Sequence, residues 1–184
     1  MELSKKEIND CESAGAQRHR LARQDKLPVA TKDDNVNMKI DNTNDLVGIK
    51  GELAVAKLLE IDFNPFQFGV DTGIDLFVGD WSIDVKTAKM SFREKPNLLF
   101  NSDKMFRSDL AILVTKESEN TFGIAGWLKR EEWAEKCEEH RRFDGSSRGS
   151  YKVGLEDLHH IFRLVYLNNM ERLKKKWLKE NTSV

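Results

Sequence analysis

Several features that define other protein classes are scarce in this sequence. It contains only two cysteines, Cys11 and Cys137, which stand far apart with no C-x-x-C spacing and no histidine partner nearby. Zinc modules and disulfide frameworks are therefore excluded, and both cysteines are predicted to be free thiols. No apolar run approaches the roughly 20 residues that span a bilayer, and the first residues lack the apolar core of a signal peptide. These absences predict a cytoplasmic protein without a membrane partner.

An excess of charge of one sign is also missing. The 184 residues include 30 basic and 31 acidic side chains, so the total charge neither favours nor excludes a nucleic-acid partner. The length suits one α/β domain with terminal additions and is too short for two ordinary domains. The basic residues are nevertheless concentrated near both ends, within residues 14–32 and 171–180: Arg18, Arg20, Arg23, Lys26, Lys32, Arg172, Lys174, Lys175, Lys176 and Lys179.

Two short apolar runs, residues 74–78 and 81–87, are joined by a Gly-Asp turn and predict a β-hairpin. Each run alternates with the period of a strand, so Asp75 in the first run and Asp84 and Lys86 in the second point away from the apolar positions. Cross-strand neighbours in an antiparallel hairpin lie roughly 5 Å apart, close enough for the two carboxylates to share a divalent cation beside the lysine. The same residues could instead lie on a solvated hairpin face, and the hairpin alone leaves both interpretations open.

Residues 45–60 have the apolar periodicity of a helix. Gly48, Glu52, Val55 and Leu59 fall in one line on this helix, which places the Glu52 carboxylate within an apolar stripe. Such a carboxylate is either held by a salt bridge or a snorkelling geometry at the edge of the stripe, or it is a third acidic group directed at the metal of the hairpin.

The hairpin and the helix together resemble the PD-(D/E)XK nuclease superfamily, which has the restriction-endonuclease-like fold. Asp75, a gap of eight residues and then Asp84-Val85-Lys86 are similar to its signature, with Ile74 in place of the proline. The first core helix of the family often carries a glutamate in a G-x-x-G-E stretch, which residues 48–52 match. The resemblance implies a catalytic set of Glu52, Asp75, Asp84 and Lys86, and metal ligands from Asp75, Asp84, the Val85 carbonyl and Glu52.

The resemblance implies a metal-dependent nuclease that hydrolyses phosphodiester bonds of DNA, as an endonuclease. Mg²⁺ would be the cofactor, with Mn²⁺ able to substitute, and Lys86 would orient or help to deprotonate the attacking water. The alternatives are a catalytically inactive nucleic-acid-binding or assembly protein of the same fold, or a nuclease directed at RNA. A homodimer would suit a double-strand break, because each chain has one site.

Three acidic groups repel the phosphate backbone, so basic residues elsewhere must hold the substrate. Candidates lie on the N-terminal segment, just after Lys86, and on the C-terminal tail. At both ends a solvated helix face is the alternative interpretation. The predicted nucleic-acid contacts are Arg20, Arg23, Lys89, Arg93, Lys174 and Lys175.

The predicted fold class is α/β, with a restriction-endonuclease-like core in which a central mixed sheet is flanked by helices. The predicted parts are an N-terminal helical arm and linker (residues 1–44), the core (45–167) and a basic C-terminal helix (168–184). The arm has few apolar residues, so its helix, residues 4–24, is expected to pack weakly or against a partner.

Other elements follow from local patterns. Residues 31–44 are expected to form a loop or a short edge strand, and residues 129–140 a helix. Strands are predicted at 97–100, 109–115, 121–128 and 161–167. The helix that the family usually has after the lysine strand is not evident.

Overall fold

The computed structural model describes residues 1–24, 34–66, 73–90, 95–101, 107–140 and 150–181. The helices in this part of the chain are α1 (Lys5–Gln24), α2 (Asp34–Leu59), α3 (Arg130–Lys136) and α4 (Ile161–Asn181), with a 3₁₀ turn at Leu155–Asp157. The strands are β1 (Leu76–Val78), β2 (Trp81–Lys89), β3 (Leu98–Asn101), β4 (Leu110–Lys116), β5 (Phe122–Lys129), β6 (Glu138–His140) and β7 (Ser150–Val153).

A four-stranded mixed sheet with the order β1-β2-β4-β5 lies at the centre of the fold. Strands β1 and β2 are antiparallel, β2 and β4 are parallel, and β4 and β5 are antiparallel. A second, antiparallel sheet has the order β3-β7-β6. The predicted α/β class, with a mixed sheet flanked by helices, is confirmed. The described residues between β2 and β4 contain no helix, and their one strand, β3, belongs to the second sheet.

Different layers cover the two faces of the four-stranded sheet. On one face, Ile83 of β2 belongs to the same buried cluster as Val55 of α2 and Leu164 of α4. On the other face, Leu113 of β4 shares a cluster with Leu98 of β3 in the second sheet. Strand β2 lies between β1 and β4 and is covered on both faces, so its polar residues Ser82 and Asp84 are buried together with Ile83 and Val85.

The predicted hairpin is confirmed as β1 and β2, with Val78 opposite Trp81. Gly79 has a φ of 61°. A two-residue hairpin turn of type II′ requires such a positive φ at its first residue, and glycine adopts it without steric cost. The Gly-Asp turn therefore sets the register that brings the segment around Asp75 alongside the segment around Asp84.

Helix α1 packs against α2 in the same chain. Cys11 and Ala14 are fully buried and share a cluster with Ile49 of α2. Glu7 pairs with Lys57 at 3.0 Å, which ties the start of α1 to the end of α2. The predicted helix is confirmed, and its residues Cys11 and Ala14 are buried within the chain. Both cysteines are free thiols, as expected, with Cys11 buried and Cys137 partly buried.

The strand predicted at residues 161–167 is wrong, because this segment is the start of α4. Leu164 is fully buried, and the buried Asn168 amide donates a hydrogen bond of 2.8 Å to the Leu59 carbonyl at the end of α2. These inward contacts have helical spacing. Apolar residues on the outer side, such as Phe162, made the run resemble a buried strand.

Two other predictions are corrected in part. Residues 34–44 are helical rather than a loop or edge strand, so α2 crosses the predicted boundary between arm and core. Propagation of an existing helix needs no new nucleus, which lets a polar segment extend it. The helix predicted at 129–140 ends at Lys136, and Glu138–His140 instead pairs with β7.

None of the described helices has the length and apolar character needed to cross a membrane.

Two glycines of α2 provide a matched test of its packing. A β-carbon at Gly51 would lie 1.9 Å from Oγ1 and 3.2 Å from Cβ of Thr87, whereas one at Gly48 would meet nothing within 4 Å. Gly51→Ala should therefore lower the free energy of unfolding by about 1–3 kcal/mol through overpacking. Gly48→Ala should raise it by up to about 1 kcal/mol through helix propensity.

Urea denaturation of the two variants checks this prediction. Equal effects of both substitutions would show that α2 does not approach β2 as closely as described.

Candidate functional site

Strand β2 extends past the end of β1, which leaves one of its edges open. β1 pairs only with residues 81–83, and no other described strand pairs with this edge. Asp75, just before β1, lies along the opening: its N–H donates to the Ile83 carbonyl (2.8 Å) and its Oδ2 accepts from the Val85 N–H (2.7 Å). Asp75 is thus hydrogen-bonded to the backbone of both neighbours of Asp84, once through its N–H and once through its carboxylate.

Asp84 and Lys86 lie on the same face of β2 and form an ion pair. In the parallel ladder they stand opposite Ala111 and Leu113 of β4, so they face the second sheet. Asp84 is 4% exposed, and the Lys86 Nζ also lies 5.0 Å from the ring centroid of Phe100 in β3. The lysine charge offsets part of the cost of burying the Asp84 carboxylate.

Glu52 approaches from α2, on the opposite face of the sheet. The preceding residue, Gly51, permits the close contact with Thr87 of β2 that brings this turn of the helix against the strand. Glu52 is 6% exposed, and its Oε1 lies 3.6 Å from Nη1 of Arg18 on α1. The salt bridge that was one interpretation of Glu52 is therefore present.

The electrostatics connect Glu52 to the open edge of β2. Burial raises the pKa of Glu52 to about 7, and the negative charge of Asp75 acts in the same direction. The positive charges of Arg18 and Lys86 lower this pKa but do not cancel the increase. The Glu52 carboxyl thus experiences the charges of Asp75 and Lys86 although it approaches from the other face of the sheet.

The donors at the open edge suit Mg²⁺ chemically. Asp75 and Asp84 supply carboxylates, and the Val85 carbonyl faces the same edge as its N–H, which bonds Asp75. Mg²⁺ is commonly held by one or two carboxylates and completes its shell with water and substrate phosphates. Within the described residues, no group of three or more His, Cys, Asp or Glu side chains is placed to hold a metal ion. Glu52 is therefore not gathered with the two aspartates.

The predicted nucleic-acid contacts on α1 and β2 are spread out. Arg20 is exposed on α1, and Lys89 is exposed at the end of β2, three residues beyond Lys86. Arg93 lies outside the described residues, and so does the side chain of Arg23. These contacts stay predictions.

One of the C-terminal candidates, Lys175, lies beside the hairpin turn. Lys174 and Lys175 are exposed on α4. The Lys175 Nζ lies 3.9 Å from the position that a β-carbon would have at Gly79, in the β1–β2 turn. The basic segment of α4 thus passes over the end of the hairpin that is remote from Asp75.

A cavity of about 230 Å³ opens at the start of β2, away from the candidate residues. Asp109 at its rim accepts hydrogen bonds from the N–H and hydroxyl of Ser82, which lower the pKa of Asp109. None of the predicted catalytic residues lines this cavity. The candidate site is instead the open edge of β2.

Arg18 is the residue at this site that the predicted set omits. It lies seven residues after Cys11, which corresponds to two helical turns, so both residues share the side of α1 that faces α2. Arg20 lies nine residues after Cys11, on the opposite side of the helix. The periodicity of the buried Cys11 and Ala14 was the sequence signal that could have identified Arg18.

No protein-family model, curated protein or solved structure matches this chain. Its residues and their geometry therefore carry the functional inference.

The raised pKa of Glu52 predicts a specific dependence of stability on pH. Its ordinary value of 4.5 applies to the unfolded chain, so the folded protein binds the proton more tightly. The resulting contribution to stability is complete below about pH 4.5 and is lost as the pH rises through about 7. The loss should amount to roughly 3 kcal/mol at most, and Glu52→Gln should abolish it.

The measurement is urea denaturation of wild type and Glu52→Gln between pH 4.5 and 8. The difference between their unfolding free energies should change with pH in favour of the variant. Glu119→Gln, at an exposed position, is the matched control and should give a constant difference. A constant difference for Glu52→Gln as well would contradict the raised pKa.

Proposed function

We propose that this chain is a metal-dependent nuclease that cleaves phosphodiester bonds of DNA, with a restriction-endonuclease-like core. One observation carries the proposal: the Asp75 carboxylate bonds the Val85 N–H, between the paired Asp84 and Lys86, and the charges of Asp75 and Lys86 act on the buried Glu52. A buried carboxylate with a raised pKa next to further carboxylates reduces stability, and such arrangements occur mostly at functional sites.

Asp75, Asp84 and the Val85 carbonyl would hold Mg²⁺, with Mn²⁺ able to substitute. The bound ion would supply Lewis-acid stabilisation of the charge that develops on the phosphate. The aspartates come from neighbouring segments, and the hydrogen bond from the Val85 N–H orients one carboxylate before any ligand arrives. This preorganisation reduces the entropic cost of assembling the site.

Lys86 would orient the attacking water and assist its proton transfer. It is partly exposed, so its ammonium reaches solvent while it remains paired with the buried Asp84. Glu52 would act from outside the direct ligand set, through water or through Arg18, because it is not gathered with the aspartates. Arg18 would add a second positive charge, besides Lys86, to attract a substrate phosphate to a site with three carboxylates.

Substrate binding would also depend on basic residues beyond this edge. Arg20, Lys89 and the lysines Lys174 and Lys175 are exposed and lie on three different elements. Because phosphate contacts act mainly through charge, each would add affinity without sequence specificity.

One observation favours a second candidate function. The Asp84 carboxylate pairs with Lys86, and the described residues do not gather three metal-binding side chains. A nucleic-acid-binding protein of the same fold without cleavage activity would have such an arrangement.

Cleavage assays separate the two candidates. Labelled duplex, single-stranded, flap, four-way-junction and RNA substrates are incubated with Mg²⁺, Mn²⁺ or EDTA. We expect DNA cleavage that requires either metal and is lost in EDTA. Lys86→Met should reduce the rate roughly 10²- to 10⁴-fold, and Asp84→Asn should also abolish the increase in melting temperature that Mg²⁺ produces by binding the folded state.

Lys5→Met, at the far end of α1, is the control for the loss of a lysine and should leave the rate unchanged. DNA binding without cleavage in any metal would establish the inactive alternative. Cleavage confined to RNA would correct the substrate.

Arg18 and Arg20 provide a matched pair for the role of α1. Arg18→Gln removes a charge that lowers the pKa of Glu52, so the loss of stability with rising pH should extend above pH 7. It should also reduce the cleavage rate. Arg20→Gln should leave the pH profile unchanged and reduce the slope of log affinity against log salt by about one.

Titration of stability and a salt series of DNA binding, each on both variants, make the comparison. Identical behaviour of the two variants in both measurements would contradict the placement of Arg18 at Glu52.

A further inference from the structure

Helix α4 carries nonpolar residues on two opposite sides. The inner side holds Leu164, fully buried in the core, and Ile161 and Val165, which pack against the same cluster. The outer side is exposed and unusually apolar for a surface helix. Its members and their exposed fractions are Phe162 (73%), Tyr166 (63%), Met170 (48%) and Leu173 (62%).

The outer residues form a continuous stripe. They follow one another in steps of four, four and three residues, which keeps them within a sector of roughly 80° and a length of roughly 17 Å along the helix. Scattered apolar residues on a surface need no explanation, but a contiguous stripe of this kind marks an interaction surface. The spacing is that of the seam between two packed helices.

We propose that the outer face of α4 is a self-association surface, on which a second copy of this chain packs its own α4 in antiparallel orientation across a two-fold axis. A second copy offers an apolar stripe of matching chemistry and length. With side chains of roughly 150–250 Å² each, of which 48–73% is exposed, the four residues would remove roughly 1,000 Å² from solvent over both protomers. Flanking contacts would bring this near the ~1,200 Å² at which stable interfaces begin.

The distribution of charge selects the antiparallel arrangement. Most basic residues of α4 lie at or beyond the end of the stripe: Arg172, Lys174, Lys175, Lys176 and Lys179. The first half of the helix contains only Arg163 among charged residues. Parallel packing would place the two basic segments in contact, whereas antiparallel packing separates them by roughly 20 Å, well beyond the screening length of about 8 Å.

The flanking charges also distinguish a second copy from other occupants. Phe162 and Tyr166, the two most exposed members, lie in the half of α4 that has little charge. An acidic partner or an anionic membrane surface would be attracted to the basic half instead. A second copy matches the uncharged half. The contact between the two copies would then be centred near Asn169.

Light scattering with size-exclusion chromatography tests the proposal on the full chain. Wild type should have the mass of a dimer at about 100 μM, and Tyr166→Glu should have that of a monomer, because it buries a charge in the interface. Phe77→Glu is the matched control, since Phe77 has the same exposed fraction of 63% but lies on β1. It should remain dimeric. Circular dichroism verifies that both variants are folded.

Oxidative cross-linking tests the orientation. Asn169→Cys lies near the expected two-fold axis and should form a disulfide with its own copy. Lys176→Cys, displaced by seven residues, would be roughly 20 Å from its copy in the antiparallel pair and should not. Cross-linking of both variants would establish a parallel pair and overturn the proposed orientation.

A monomeric wild type would overturn the proposal, and so would a dimer that Tyr166→Glu leaves intact. Sedimentation with vesicles containing phosphatidylserine identifies the membrane alternative: a monomer that binds vesicles through the same residues would replace the second copy by a lipid surface. These measurements are independent of cleavage, so they hold whether or not the proposed nuclease function does.

Discussion

The close contact of α2 with β2 at Gly51 and Thr87 determines where the rest of the candidate site lies. A larger residue in place of the glycine would push the helix away, and Glu52 would withdraw from the charges of Asp75 and Lys86. The same contact holds the helix against the strand that carries Asp84. A side-chain-free position in an otherwise well-formed helix costs up to about 1 kcal/mol relative to alanine. At Gly51 this cost is accompanied by the close contact that brings the turn of α2 with Glu52 against the sheet.

The site is a compromise between stability and charge placement. The carboxylates of Glu52, Asp75 and Asp84 lie on or beside strand β2. The cations Arg18 and Lys86 compensate these negative charges only in part, because the pKa of Glu52 remains raised. A buried ion pair is seldom the most stable arrangement, since apolar residues of similar volume avoid the cost of desolvating the charges. The presence of these buried charges is best explained if a ligand of complementary charge binds to them. That reasoning connects the measurable pH dependence of folding with the proposed function.

The sequence predicted best what local periodicity determines. The β1–β2 hairpin, the buried β4 and the helix around Glu52 follow from alternation, from an apolar run and from helical spacing, and all are present. Residues 161–167 were misread because α4 is apolar on two sides, which cancels the helical signal. The periodicity of α1 could place Arg18 on the side that faces α2, but its pairing with Glu52 depends on how α1 packs on α2. By contrast, the alternation of β2 already places Asp84 and Lys86 on one face, where they pair.

The geometry of α4 allows the proposed dimer and the proposed substrate contact to coexist. Lys175 lies about 170° around the helix from Tyr166 and Leu173 on average, on the side that faces the β1–β2 turn. From that turn to Asp75 is four residues of strand, roughly 13 Å. This separation exceeds the screening length of about 8 Å, so the lysine can attract a phosphate without being neutralised by the carboxylates of the site. A nucleic-acid strand with one phosphate per roughly 3.4 Å would then span the hairpin with about four nucleotides. Separate faces of one helix can thus serve association and substrate binding, and neither excludes the other.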